Sequence, residues 1–354
     1  SRLALGTMTF GTEWGWGADE AGARAMLDRY VDAGGNFFDT ADLYTNGTSE
    51  TWLGRYLHER GLRDRAVVAT KFSYNAEPGN PNAGGNGRKN ILRAVEGSLR
   101  RLGTDYIDLY LLHTWDRVTP ADEVMRTFDH LVASGKVRHV GFSDVPAWYA
   151  AKAATLADQS GWEPAIALQL EYSLVERNIE REFTDLAQDS GMGVMAWSPL
   201  AGGLLSGKYR PSESAEFGEG RLQTLKDSGN PAFQKFTARN FAIVAALEEV
   251  AREIGRSMAQ VALNWVAHRP GIASVIVGAT KPEQLDDSLR ALEFSLPPEL
   301  RERLDAVSRP DDQFPYTFFG DALQGMVHGG ASVGDKPDGY RAPVRIRSAG
   351  AGTT

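Results

Sequence analysis

Short apolar runs alternate with amphipathic stretches along most of this chain. The runs are residues 3–6, 36–38 ending in Asp39, 66–70 ending in Lys71, 107–112 ending in His113, 137–142, 165–170, 192–197 and 273–278. Each is short enough for one strand. The stretches between them carry apolar residues at helical spacing. Residues 18–33 show it first, with Ala21, Ala25, Leu27, Tyr30 and Val31 on one side and Gly34-Gly35 as a stop. Further helices are predicted over 50–59, 89–102, 120–133, from Pro146 onward, over 179–188 and over 282–292. No hairpin turn joins successive runs, and such alternation indicates a parallel sheet. Eight units in one chain favour a closed (β/α)8 TIM barrel. An open doubly wound sheet is the alternative, but no G-x-G-x-x-G follows the first run. The nearest imitation, Gly85-Asn86-Gly87-Arg88-Lys89-Asn90, lies in a loop and lacks the third glycine.

Two stretches break the repeat. A long polar insertion, 202–237, follows the seventh strand, and a loop of that length is commonly a functional lid. Residues 1–310 are read as one barrel domain and 311–354 as a tail. The tail is first aromatic (Phe314, Tyr316, Phe318, Phe319), expected to pack near the barrel mouth, and then flexible. The chain opens directly in an apolar run, so a short lead-in is expected to precede it.

Composition narrows the class. The chain has 354 residues, 42% hydrophobic and 24% charged, as a globular protein with a sizeable core requires. No apolar run approaches the roughly 18 residues of a membrane span, and residues 1–20 do not read as a secretory leader. There is no cysteine, which excludes disulfides, thiolate catalysis and Cys-based zinc sites. The net charge of −8 argues against nucleic acid or an anionic membrane as partner. A cytoplasmic setting fits. No metal site is expected; a small-molecule partner is, and oligomeric state cannot be read.

The candidate chemistry lies where the runs end. Asp39, Lys71 and His113 each close an apolar run, and Tyr44 follows Asp39 by five residues. In a parallel barrel these groups gather at the carboxyl end of the sheet, where catalytic residues sit. Polar groups also follow the other runs: Ser143 and Asp144, Gln169, Ser198, and Thr280 with Lys281. A lysine beside a phenol stabilises the phenolate. At roughly 4 Å and an effective dielectric near 20 this is worth about 4 kcal/mol, or about three pK units. That shift would bring the Tyr44 phenol toward neutral pH as a general acid. Asp39 would hold Lys71 charged, and His113 could orient a carbonyl.

Asp39, Tyr44, Lys71 and His113 resemble, in order and strand context, the catalytic tetrad of the aldo-keto reductases. The resemblance covers nearly the whole chain. It extends to Leu5-Gly6-Thr7-Met8-Thr9-Phe10-Gly11, to Phe38-Asp39-Thr40-Ala41-Asp42-Leu43-Tyr44, and to Gly141-Phe142-Ser143-Asp144. Residues 197–209 look like the pyrophosphate loop of the family's long-chain branch, and 278–285 like the segment that grips the adenosine phosphate. The aryl-alcohol-dehydrogenase-like reductases of bacteria and fungi are the most similar subgroup.

The resemblance implies NADPH/NADP as cofactor and reversible reduction of aldehydes or ketones, with the proton from Tyr44. It implies that Ser143, Asp144 and Gln169 bind the nicotinamide carboxamide and that Trp197 stacks on the ring. Ser198, Leu200, Gly202 and Lys208 would hold the pyrophosphate, and Gly278, Thr280, Lys281, Gln284 and Asp287 the adenosine end. Two positions depart from the family pattern: Asp144 replaces the usual amide, and Ser288 replaces an asparagine. Trp14, Trp16, Trp115 and Phe318 are candidates to line a pocket for an aryl or bulky substrate, although core or rim packing explains them equally well. Two rivals stay open: a Schiff-base aldolase using Lys71, and a cofactor-binding regulatory subunit like the potassium-channel β subunits that share this fold.

Overall fold

Alternation within each apolar run sorts its side chains onto two faces, and the computed structural model shows where each face goes. It describes residues 1–212 and 216–331. The strands are β1 (Leu3–Gly6), β2 (Phe37–Asp39), β3 (Val67–Phe72), β4 (Ile107–Leu112), β5 (Val137–Ser143), β6 (Ala165–Glu171), β7 (Gly193–Trp197) and β8 (Ile272–Val277). All pair in parallel, in sequence order, and β8 closes onto β1. The chain is a closed (β/α)8 barrel.

One face of the strands fills the interior with Ala4, Ala69, Leu109, Leu111, Ala167, Met195 and Ile276, with Phe37 and Trp197 against them. The other face, including Phe38, Val68, Phe72, Tyr110, Leu112, Phe142 and Leu168, packs under the helices. Burying each such Leu, Val or Phe side chain is worth roughly 1.5–3 kcal/mol. Because strand side chains alternate with period two, the residue two beyond each interior side chain also points inward, one layer nearer the mouth. That rule selects Asp39 after Phe37, Lys71 after Ala69, His113 after Leu111, Gln169 after Ala167 and Trp197 after Met195. Gly141, on β5, is forced by close approach: a Cβ there would stand 2.5 Å from the Ala167 carbonyl oxygen.

The helices are α1 (Glu20–Asp32), α2 (Thr48–Glu59), α3 (Arg88–Leu102), α4 (Ala121–Ala133), α5 (Ala147–Ser160), α6 (Phe183–Asp189), α7 (Arg221–Leu225), α8 (Ala238–Glu253), α9 (Met258–Ala267), α10 (Pro282–Leu289), α11 (Pro298–Ser308) and α12 (Asp321–Val327). In α3, Ile91, Ala94, Val95, Ser98, Leu99 and Leu102 form the buried stripe, the i, i+3, i+4 pattern of an amphipathic helix. Asp19 caps α1 by accepting from the Gly22 amide at 2.8 Å.

Two helical expectations need correction. The stretch 179–188 is a 3-10 turn, Asn178–Glu180, followed by the short α6. The stretch 282–292 stops at Leu289 and ends in a further 3-10 turn. Helices α7, α8, α9, α11 and α12 lie where the sequence pattern predicts none. In α9 every residue from Ala259 to Ala267 is buried, so it has no polar face and no helical period to read.

The insertion folds over the mouth as a 3-10 turn (Ala201–Ser206), α7 and a second turn (Pro231–Phe233). The buried Tyr209 hydroxyl accepts from the Leu222 amide at 3.1 Å, and Phe217 stacks on Phe236 at 4.1 Å. The first part of the tail docks beside α6: the Tyr316 hydroxyl donates to Glu182 Oε1 at 2.7 Å, and Arg181 lies over the Tyr316 ring. The flexible stretch expected at the chain end includes residues 332–354, which lie outside the described residues. Among the described residues no helix is long and apolar enough to cross a membrane.

Candidate active site

Tyr44 is the one tetrad member not on a strand parity position. It opens a 3-10 turn in which Thr45 (φ 46°) and Asn46 (φ 56°) are left-handed. The Thr45 hydroxyl fixes that turn by donating to the Phe10 carbonyl at 2.6 Å. The phenol is thereby returned over the end of the barrel interior. Lys71 Nζ donates to Asp39 Oδ2 at 2.8 Å, to the Thr40 carbonyl at 2.8 Å and to the Tyr44 hydroxyl at 3.3 Å. An ammonium has three donors, and all three are used. The other Asp39 oxygen accepts from Gln169 Nε2 at 2.7 Å. Lys71 is fully buried, at 0% exposure, and Asp39 at 3%. Removing either charge would therefore leave the other buried and uncompensated.

The electrostatics of the tetrad differ from the sequence expectation at one member. Burial alone would lower the Lys71 ammonium, but the charges and hydrogen bonds of Asp39 and Tyr44 outweigh it, and the net shift is upward. Lys71 stays charged at neutral pH. Tyr44 was expected to fall toward neutral pH. Instead burial raises it above the ordinary phenol value; Lys71 opposes that, while Asp39 and Asp144 add to it. The simple Coulomb argument left out desolvation of the phenolate, which is the largest cause here. Tyr44 is accordingly protonated and has a proton to give. His113 is pushed well below its usual value by burial and then by Lys71, so its imidazole is neutral. Its ring meets the Tyr44 ring edge-on at 5.8 Å. A neutral phenol, a fixed ammonium and a neutral imidazole together can bind an oxygen, protonate it and stabilise the phenolate left behind.

The other expected positions surround this centre unevenly. Ser143 is buried at the end of β5, and Asp144 follows at φ 44° with Oδ1 accepting from Trp197 Nε1 at 3.1 Å. Burial raises the Asp144 carboxyl to about 7; the Trp197 hydrogen bond and Lys71 oppose this, and Glu171 adds to it. Ser198 (φ 52°) accepts from the Gly202 amide at 3.2 Å, and the Leu200 carbonyl accepts from the Gly203 amide at 2.9 Å. Gln284 accepts from both the amide and the hydroxyl of Thr280, at 3.0 and 3.2 Å. Gly278 closes β8, with only the Gly6 carbonyl near where a Cβ would stand, and Lys281 is exposed beside Thr280. Asp287 is held by Ser257 and Gln260, and Ser288 turns back to the Gln284 carbonyl. Both are bound within the protein.

Of the four pocket candidates, Trp14 meets the Tyr44 ring edge-on at 6.4 Å and the Trp16 ring at 5.6 Å. Trp115 packs instead against Trp148 and Tyr149. Phe318 is exposed, with Phe314 as its ring neighbour, and is not brought to the tetrad. The sequence reading missed two groups. Tyr74 stands edge-on to His113 at 5.0 Å. Arg221, in α7, lies over the Trp16 ring at 5.3 Å and close enough to Tyr44 to interact with the phenolate when it forms. Arg221 came from the insertion, which has no periodicity, so only its charge marked it.

Burial lowers the pKa of both Lys208 and Arg221, and Arg221 further lowers that of Lys208. Among the described residues neither forms an ion pair with a carboxylate. Lys208 lies against the left-handed Gly203, and two cations without carboxylate partners, Lys208 and Arg221, suit a phosphate-bearing ligand. The residues present therefore fit a cofactor that carries phosphates.

A closed barrel with a buried Asp–Lys–Tyr–His cluster at its mouth has the architecture of a barrel enzyme with a small-molecule site. The Aldo/keto reductase family model matches residues 2–309, and the chain belongs to that family. It is thus an oxidoreductase of carbonyl compounds. An aryl-alcohol dehydrogenase [NADP(+)] of Phanerodontia chrysosporium is 35% identical over 350 residues, 95% of this chain and 90% of that protein. A norsolorinic acid reductase of Aspergillus flavus is 33% identical, over 90% of this chain and 80% of the relative. A probable voltage-gated potassium channel subunit beta of Oryza sativa is 35% identical, over 87% of this chain and 92% of the relative.

Proposed function

We propose that the protein is an NADPH-dependent reductase of aldehydes and ketones, working reversibly on aryl or bulky substrates in a cytoplasmic setting. The observation that carries this reading is the Lys71 ammonium, which joins Asp39 to the Tyr44 phenol beside a neutral His113. The substrate oxygen sits between Tyr44 and His113. The neutral imidazole donates a hydrogen bond that orients the carbonyl. Tyr44 gives its proton to that oxygen, and Lys71 stabilises the resulting phenolate. Asp39 and Gln169 hold Lys71 in place. A bound reduced nicotinamide supplies the hydride to the carbonyl carbon.

Ser143, Asp144 and Trp197 take the nicotinamide end. Ser198, Leu200, Gly202, Lys208 and Arg221 take the pyrophosphate, and Gly278, Thr280, Lys281 and Gln284 the adenosine end. The NADP(+) in the name of the Phanerodontia relative supports the phosphorylated cofactor. Trp14, Trp16 and Tyr74 supply aromatic surface for an aryl group. A Schiff-base role for Lys71 is disfavoured, because its raised pKa keeps the amine protonated and not nucleophilic.

The test is NADPH oxidation with 4-nitrobenzaldehyde at steady state, paired with borohydride trapping. We expect saturable NADPH consumption and no adduct on Lys71. No consumption at high enzyme concentration would favour a regulatory, cofactor-binding subunit. A Lys71 adduct would favour the aldolase.

A further inference from the structure

Asp144 stands where the family pattern has an amide, and its surroundings leave its charge uncancelled. Two charged groups in its vicinity are already matched. Lys71 is paired with Asp39 at 2.8 Å, and Glu171 is paired with Lys235 at 2.9 Å. The remaining groups facing Asp144 are neutral: Trp197, Ser143, and the phenols of Tyr44 and Tyr74. Arg221 lies beyond Tyr44. The Asp144 carboxyl accepts hydrogen bonds from Trp197 and from Ser143, and among the described residues has no ion-pair partner. It is the unmatched carboxylate on this side of the mouth.

Its place follows from the proposed chemistry. A hydride donor must approach to about 3–3.5 Å of the carbonyl carbon, whose oxygen lies at Tyr44. Asp144, just past β5, and Trp197, at the end of β7, are joined at 3.1 Å beside that space, with Asp144 near enough to Tyr44 to raise its pKa. The ring gains one positive charge when it loses hydride. We propose that the Asp144 carboxylate makes this site hold the oxidised, cationic nicotinamide in preference to the reduced, neutral one, lowering the potential of the bound cofactor. This rests on the cofactor reading above. An amide at 144 can accept the same Trp197 hydrogen bond but carries no charge to do this. Bound NADPH is thereby a stronger reductant, and release of NADP+ is slowed.

A unit charge pair at about 7 Å and an effective dielectric near 20 changes a binding ratio about fiftyfold. Asp144 is solvent-exposed in the free protein although neighbouring groups crowd its carboxyl, so the charge is screened and the expected effect is nearer tenfold. A tenfold preference corresponds to a potential lower by about 30 mV for a two-electron couple. The preference also depends on pH. The carboxyl titrates near 7 in the free protein, and only its ionised form attracts the cation. The preference for NADP+ is therefore present above that pH and is lost as pH falls through it. The 2′-phosphate, with a second pKa near 6, titrates in both cofactor forms and cancels from the ratio.

The test is the ratio of dissociation constants, Kd(NADPH)/Kd(NADP+), from tryptophan fluorescence quenching of the full chain and of Asp144→Asn. Asparagine keeps the size and tolerates the left-handed backbone. In the parent the ratio should rise by several fold between about pH 6 and about pH 8.5, while in the variant it stays flat. At the upper pH the variant's ratio should be about tenfold lower. A ratio that stays within threefold in both comparisons overturns the proposal while leaving the cofactor reading intact. Failure of both cofactor forms to bind overturns the two together. If Asp144→Asn does not fold, the pH series on the parent chain decides alone.

Discussion

Asp39 and Asp42 lie three residues apart in one segment, yet they end on opposite sides of the barrel wall. Asp39 points inward, and both its oxygens are partnered, by Lys71 and Gln169. Asp42 is equally buried but joins the layer between strands and helices, near Glu50, Arg101, Arg93 and Tyr110. There Glu50 accepts from Thr70 at 2.6 Å and from Arg101 at 2.7 Å, while Asp42 Oδ1 and the Tyr110 hydroxyl have no hydrogen-bond partner. Burial and then Glu50 raise the Asp42 carboxyl to about 7. A buried acid alone does not mark a catalytic centre. What separates the two is the matched ammonium and the phenol held at the mouth. In the proposed function the inner cluster does the chemistry; the outer one ties α2 and α3 to the strands.

Substitutions should break the two clusters differently. Lys71→Met should have the largest effect. Turnover should fall about a thousandfold, as loss of a positioned proton-transfer partner does, and unfolding in urea should show about 3 kcal/mol lost because Asp39 is left unpaired. Glu50→Gln should instead cost about 2 kcal/mol of stability by weakening the Arg101 pair, with kcat unchanged within about twofold. A large fall in kcat there would erase the distinction between the clusters.

Asp42→Asn sharpens the contrast through pH. Asp42's folded pKa is raised, so the folded state binds more protons than the unfolded chain between about pH 4 and its folded pKa of about 7. This group's contribution to stability therefore declines as pH rises through that window. The variant should match the parent near pH 4 and be more stable near pH 8, by up to about 4 kcal/mol. Urea midpoints at the two pH values check it. Smallest is Trp14→Ala, which should raise KM for aryl aldehydes about fivefold, equal to about 1 kcal/mol of lost ring contact, with a lesser change for short aliphatic ones.

Much of the barrel was legible because each strand carries its own label. A period-two run ending in a polar residue places that residue at the mouth, and Asp39, Lys71, His113 and Gln169 all follow that rule. Tyr44 does not, since its position depends on a left-handed turn at Thr45 and Asn46 that spacing does not announce. The same holds for Arg221, which reaches the mouth from an aperiodic insertion. Helix α9 was hidden because it is buried on all sides. The direction of the Tyr44 shift was misjudged because a sequence shows which charges are near but not how much water is excluded. Asp42 shows the converse: its neighbours Arg93 and Arg101 are distant in sequence, and the burial it shares with Glu50 depends on packing, so nothing marked it as a buried titrating group.

The central claim is that Tyr44, held by Lys71, supplies the proton. Tyr44→Phe tests it most directly, with turnover of 4-nitrobenzaldehyde and NADPH quenching of tryptophan fluorescence measured on the same preparation. The account predicts that turnover falls by a factor of about a thousand while NADPH binds with unchanged affinity. A variant that binds NADPH and turns over at a rate close to the parent's would contradict it.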